Sequence, residues 1–164
     1  MTRFVLQDAA ATRALGARLA AALAESGVLS PLLVGLSGEL GAGKTTLVGG
    51  LLAALGHEGP ARSPTYSLIE PYRLAGRDVY HCDLYRLRDP EELDDLGLRD
   101  LMRLGSVLLV EWPDRAGGRL RMVDVALRLA YADSDGGAPG RNAELTAATD
   151  AGVAILARLA VDPI

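Results

Sequence analysis

The sequence predicts an α/β fold: a mixed, mainly parallel central sheet flanked by helices in a three-layer arrangement. Three observations carry that expectation. The run LLVGLSG (residues 32–38) is followed by a glycine-rich turn and then by a helix-forming stretch. A second short apolar run, SVLLVE (106–111), has the length of a buried strand and ends on an acid. Two strand-like runs lie between them, and strands alternating with helical patterns imply parallel pairing around the first strand.

The elements follow in order. Residues 8–26 are rich in Ala and Leu, with Leu15, Leu19 and Leu23 four apart, and Gly27 follows. This spacing predicts an amphipathic helix. After Ser30-Pro31 comes the strand LLVGLSG, and residues 45–55 read as a helix stopped by Gly56. TYSLIEPYRL, AGRD and VYHCDLYRL together read as a β-hairpin. Asp89-Pro90-Glu91-Glu92 has the pattern of a helix start, with Asp89 as N-cap, proline at the first position and Glu92 closing a capping box. The acids Glu91, Glu92, Asp94 and Asp95 are then dipole-matched side chains rather than metal ligands. Residues 123–131 alternate like a half-exposed strand, DSDGGAPG turns the chain, 144–149 return beside it, and 151–161 close with a helix.

Composition narrows the function classes. The chain has 164 residues, 49% hydrophobic and 23% charged, which fits a single globular domain over 1–164 and argues against disorder. No apolar run approaches the ~20 residues needed to cross a bilayer, and no secretory signal is visible, so the expected location is the cytoplasm. Cys82 is the only cysteine, which excludes an internal disulfide and a thiolate zinc cage. A net charge of −4 offers no broad footprint for nucleic acid. Of 17 basic residues only Lys44 is a lysine. A compact ammonium enters a tight backbone loop where a guanidinium fork does not, so the exception points to such a loop.

That loop is Gly38 to Thr45, GELGAGKT, which matches GxxxxGK[ST] between a strand and a helix. Its glycines turn backbone amides toward phosphate oxygens, and the helix start adds a partial positive charge. The cradle for ATP or ADP therefore comprises Gly38, Leu40, Gly41, Ala42, Gly43, Lys44, Thr45 and Thr46. Lys44 is assigned to the β and γ phosphates, Thr45 to Mg²⁺ and Thr46 to the α phosphate. Mg²⁺ also calls for a carboxylate at the carboxyl edge of the sheet. Glu111 and Asp83 both end strand-like runs there; both are placed in the site, and which one ligates the ion stays open. His81 is read as a neighbour that hydrogen-bonds locally rather than as a catalyst. Ser63-Pro64-Thr65 lies where switch segments occur in P-loop proteins; Thr65 either senses the γ phosphate or sits in a simple turn. Trp112 covers the nucleotide, docks a partner or packs in the core.

Five blocks together resemble the TsaE (YjeE) family: GELGAGKTTL, SPTYSLIEPY, VYHCDLYRL, DPEELDDLGLRD and LLVEWPDR. They span about Gly38 to Asp114, in the family's order and spacing. The resemblance implies a P-loop ATPase with a mixed sheet and weak Mg-ATP hydrolysis. It further implies a part in the threonylcarbamoyl modification of adenosine 37 in tRNAs that read codons starting with A. The implied partners are the TsaB and TsaD proteins, with tRNA contacted only indirectly. The alternative is a P-loop kinase acting on a small hydroxyl substrate.

Overall fold

The computed structural model describes residues 1–61, 64, 68–74, 76–132 and 140–160. Seven strands form one sheet: β1 (Thr2–Leu6), β2 (Leu32–Gly38), β3 (Ile69–Leu74), β4 (Arg77–Asp83), β5 (Val107–Glu111), β6 (Val125–Tyr131) and β7 (Arg141–Ala147). Their order is β1-β7-β6-β2-β5-β4-β3. The four central strands, β6, β2, β5 and β4, run parallel, while β1–β7, β6–β7 and β3–β4 are antiparallel. The expected mixed sheet is therefore present, with its parallel part in the middle.

Side-chain alternation along the central strands feeds two cores. Leu32, Val34 and Leu36 of β2, with Val107 and Leu109 of β5, pack under three helices: α1 (Ala9–Glu25), α2 (Lys44–Ala54) and α5 (Asp150–Leu159). Leu33, Leu108 and Val110 point the other way, with Cys82 and Leu84, onto Leu93 and Leu98. The helical cover on that side is slight: α3 (Glu92–Asp95), α4 (Leu98–Leu101) and a 3-10 turn over Pro113–Ala116.

The capping box before α3 forms: the Glu92 carboxylate accepts from the Asp89 amide at 3.2 Å, and Asp89 accepts from the Glu91 amide at 2.9 Å. Regular helix nevertheless lasts only four residues, because Gly97 takes a left-handed φ of 63° and splits α3 from α4. Arg119 reaches Glu91 and Asp94, so part of the acidic cluster is ion-paired across the surface.

Two features lay outside the sequence reading. β1 is an edge strand of five residues, too short for its alternation to stand out, and it pairs with β7 alone. Asp124 sits just before β6 and is buried; its carboxylate accepts from the Leu33 amide at 2.8 Å and the Thr149 hydroxyl at 2.7 Å, and it pairs with Arg121. One buried acid thus ties β6 to β2 and to the start of α5. Pro71 is tolerated in β3 because that strand is the sheet's edge.

The helices that carry α2 into place meet at glycines. A Cβ on Gly16 of α1 would stand 2.1 Å from the Leu47 carbonyl oxygen, and one on Gly50 of α2 would stand 2.1 Å from that of Arg13. Backbone therefore lies against backbone, and α1 and α2 leave no room for a methyl group at either crossing point.

Candidate nucleotide site

The loop between β2 and α2 has the geometry of an anion cradle. Gly43 enters α2 with φ of 106°, a conformation in which a side chain would be strained. No side chain caps the helix there. The first amides of α2 lack intrahelical acceptors by construction, so an anion is the natural partner for them.

Three carbonyls of the same loop, those of Leu40, Gly41 and Ala42, are held from β6 and β7. Tyr131 at the end of β6 donates its hydroxyl to the Leu40 carbonyl at 3.2 Å. Arg141 at the start of β7 donates to the carbonyls of Ala42 at 3.0 Å and Gly41 at 3.4 Å, and its guanidinium stacks 4.2 Å from the Tyr131 ring centre. With the carbonyls engaged there, the loop is fixed from outside. Sequence reasoning missed both residues, because they come from the carboxyl-terminal third and carry no local motif.

Lys44 is 4% exposed and donates to the carbonyls of Gly38 and Glu39, each at 2.9 Å. Its ammonium also lies 4.0 Å from the centre of the Trp112 ring. Burial pulls the Lys44 amine below its ordinary value, while the carboxylates of Glu111 and Asp83 act in the opposite direction.

Glu111, 2% exposed, closes the other wall. Its Oε1 accepts from the Thr45 hydroxyl at 2.8 Å, a bond joining the first turn of α2 to the end of β5. With its hydrogen committed to Glu111, the Thr45 oxygen keeps lone pairs for a cation. His81 Nε2 lies 2.9 Å from the same carboxylate oxygen, in agreement with its reading as a local partner. Asp83 pairs in register with Glu111 across β4 and β5, and its carboxylate accepts from the Tyr85 amide at 3.0 Å.

These parts surround an open cavity of about 370 Å³, whose walls include Gly41, Gly43, Lys44, Thr45 and Thr46 of the loop and helix. Asp83, Arg86, Glu111 and Trp112 face them. Trp112 is held at φ of 59°, a left-handed conformation unusual for a large side chain, and its amide donates to the Leu36 carbonyl at 3.0 Å. Its ring stacks at a tilt on Tyr85, with centres 5.2 Å apart. Of the sequence-expected residues, Gly38, Leu40 and Ala42 act through backbone carbonyls, and Ala42 is also part of the core. Ser63 and Thr65 lie outside the described residues.

A larger hollow of about 650 Å³ opens on the opposite face of the sheet, beneath α3 and α4. It is walled by Leu33, Leu93, Leu98 and Leu108 beside Arg119 and Arg121, without the converging backbone amides of the loop. Among the described residues no helix is long and apolar enough to cross a membrane.

The family model described as threonylcarbamoyl adenosine biosynthesis protein TsaE matches residues 6–141. The tRNA threonylcarbamoyladenosine biosynthesis protein TsaE of Haemophilus influenzae is 46% identical over 125 residues, which is 76% of this chain and 76% of the relative. The protein of the same name from Bacillus subtilis is 42% identical over 97 residues, 58% of this chain and 57% of the relative. The crystal structure of Bacillus subtilis YdiB superposes with a TM-score of 0.75 at 23% identity, covering 97% of this chain and 93% of that one, and so shares the fold. With five-sixths of its length inside the family model, this chain belongs to the TsaE family of threonylcarbamoyladenosine biosynthesis proteins.

Proposed function

We propose that this chain is a Mg²⁺-dependent ATPase whose slow hydrolysis of ATP supports the threonylcarbamoyl modification of adenosine 37 in tRNAs reading codons that begin with A. It acts on the TsaB–TsaD pair, in the cytoplasm, without itself binding tRNA. The observation that carries this reading is the placement of Lys44. The chain's only lysine is buried at a helix start, within a carbonyl and indole nest and in the field of two carboxylates. An ammonium so placed is ready to exchange carbonyl partners for the phosphate oxygens of a nucleotide.

The donor set fits Mg²⁺. The Thr45 hydroxyl and the Glu111 carboxylate are hard oxygen donors already in contact. Among the described residues no group of three or more His, Cys, Asp or Glu forms a protein cage for a metal. An ion that keeps waters and shares itself with phosphates needs no such cage. When bound, Mg²⁺ supplies charge neutralisation at the β and γ phosphate oxygens.

The chain's own residues do the rest. The first amides of α2 bind phosphate, Lys44 balances charge between the β and γ groups, and Thr46 reaches the α phosphate. Asp83, in the same cavity and bound to the Tyr85 amide, orients the attacking water. Water oxygen bonds to the γ phosphorus as the bond to the β–γ bridging oxygen breaks, giving ADP and inorganic phosphate. The net charge of −4 supports protein partners over direct tRNA contact, since phosphate contacts call for a basic excess.

The test is reconstitution of tRNA modification with TsaB, TsaD and ATP over several turnovers. The reading expects modification to stall near one turnover per complex without this protein and to continue with it. Equal multiple-turnover yield in both arms contradicts it.

A further inference from the structure

The buried face of β4 holds a polar group that hydrolysis as described does not use. Side chains at 79, 81 and 83 of β4 and at 107, 109 and 111 of β5 share the side of the sheet that carries α2, as the burial of Val79, Val107 and Leu109 in that core shows. His81 and Glu111 therefore meet in an interior where their side chains are 0% and 3% exposed. An ionised carboxylate in such a place must be matched by donors. Glu111 Oε1 receives two, from Thr45 at 2.8 Å and His81 at 2.9 Å, and neither engages Oε2.

The ring's hydrogen can be located. A carboxylate only accepts, so His81 Nε2 is the donor. His81 Nδ1 is buried with no hydrogen-bond partner among the described residues. A hydrogen on Nδ1 would find no acceptor there. The geometry therefore places the donated hydrogen on Nε2.

We propose that His81 is the positioning residue for Glu111: its Nε2–H fixes the carboxylate so that Oε2 is presented to the divalent cation of the bound nucleotide. This rests on the reading of Glu111 as a cation ligand given above. The physical need is specific. Thr45 alone leaves the carboxylate free to swing about its last torsion, and the second donor removes that freedom. Mg²⁺ tolerates little departure from octahedral geometry, so an unsteered carboxylate forfeits affinity.

Glutamine and asparagine at position 81 separate this role from simple packing. A glutamine amide nitrogen is the same number of bonds from Cα as His Nε2 and can reach Glu111. An asparagine amide ends where Nδ1 stands and falls short. Both lose the ring, so they lose similar packing, and thermal unfolding checks that they do. Mn²⁺ binding to the ADP complex is followed by the electron paramagnetic resonance of free Mn²⁺, and ADP binding without metal is measured by calorimetry.

His81→Asn is expected to weaken Mn²⁺ binding about 10- to 100-fold, the usual effect of removing a residue that orients a ligand. His81→Gln is expected to stay close to wild type, with metal-free ADP affinity the same in all. In the wild-type protein, long-range ¹⁵N–¹H spectra are expected to show a hydrogen on His81 Nε2, and an Nε2 without one overturns the proposal even if neither variant folds. Equal Mn²⁺ affinity in the Asn and Gln variants, high or low, also overturns it. Glu111→Gln provides the reference. If that change weakens Mn²⁺ binding while His81→Asn does not, only the role of His81 fails; if it leaves Mn²⁺ binding unchanged, the cation reading of Glu111 fails as well.

Discussion

The Lys44 ammonium lies 4.0 Å from the centre of the Trp112 ring, and the two residues approach from opposite walls of one cavity. A cation over an indole is held by about 0.5–2 kcal/mol, and a hydrogen bond to a charged group returns about 1.5–3 kcal/mol. On the proposed function, nucleotide is expected to draw Lys44 from the ring. Because Trp112 is the only tryptophan, adding ADP should change the protein's tryptophan fluorescence, and Trp112→Phe should abolish the signal while preserving binding. A flat titration with binding confirmed by calorimetry would place Trp112 outside the nucleotide's reach.

Alkaline pH should weaken nucleotide binding sooner than an ordinary lysine would allow. Burial lowers the Lys44 value from 10.5, so the ammonium that phosphate needs is lost below that pH. In this window phosphate binding should restore the charge and take up a proton, which calorimetry in buffers of different ionisation enthalpy would detect. Folding responds with the opposite sign: between the lowered value and 10.5 the unfolded chain binds more protons, so Lys44's contribution to stability rises with pH. Affinity independent of pH up to 10.5 would contradict the role of Lys44.

Arg141→Met should loosen the loop without unfolding α2. It removes donors to the carbonyls of Gly41 and Ala42, each worth about 1 kcal/mol. Weakening of ADP binding by roughly tenfold is expected, 1.4 kcal/mol corresponding to one such factor. Unaltered affinity in the folded variant would mean that the loop holds its shape unaided.

Gly16→Ala and Gly50→Ala should each destabilise the fold by about 1–3 kcal/mol, the usual cost of overpacking. Each added methyl would meet a backbone carbonyl at 2.1 Å, so α1 and α2 must part. Urea denaturation checks the magnitude, and wild-type stability in either variant would refute the close crossing.

Cys82 should be inert in the native protein. Its side chain projects from β4 into the core on the α3–α4 side and is fully buried, and burial pushes the thiol up to about 12, leaving almost no thiolate at neutral pH. Thiol reagents should label it only at the rate of unfolding; rapid labelling of folded protein would contradict the packing of that face.

What could be read from the sequence was whatever is written locally. The glycine-rich loop from Gly38 to Thr45, the helix it opens and the strand ending at Glu111 each occupy one short run. The capping box at Asp89 was visible for the same reason, although the break at Gly97 was not. Tyr131 and Arg141 support the loop from 91 and 99 residues away, and no period or motif links positions so far apart. Gly16 and Gly50 look like weak points in their helices until the other helix is seen. The contact of His81 with Glu111 depends on strand register, which pairs β4 with β5 across an intervening helical segment.

The most direct test of the account is amide mapping by NMR as Mg²⁺-ADP is added to the intact protein. The account predicts that the largest shifts fall on the amides of Gly41, Gly43, Lys44, Thr45 and Thr46, and that Lys44→Ala suppresses them. Shifts gathered instead around the hollow beneath α3 and α4, with the loop amides unmoved, would contradict it.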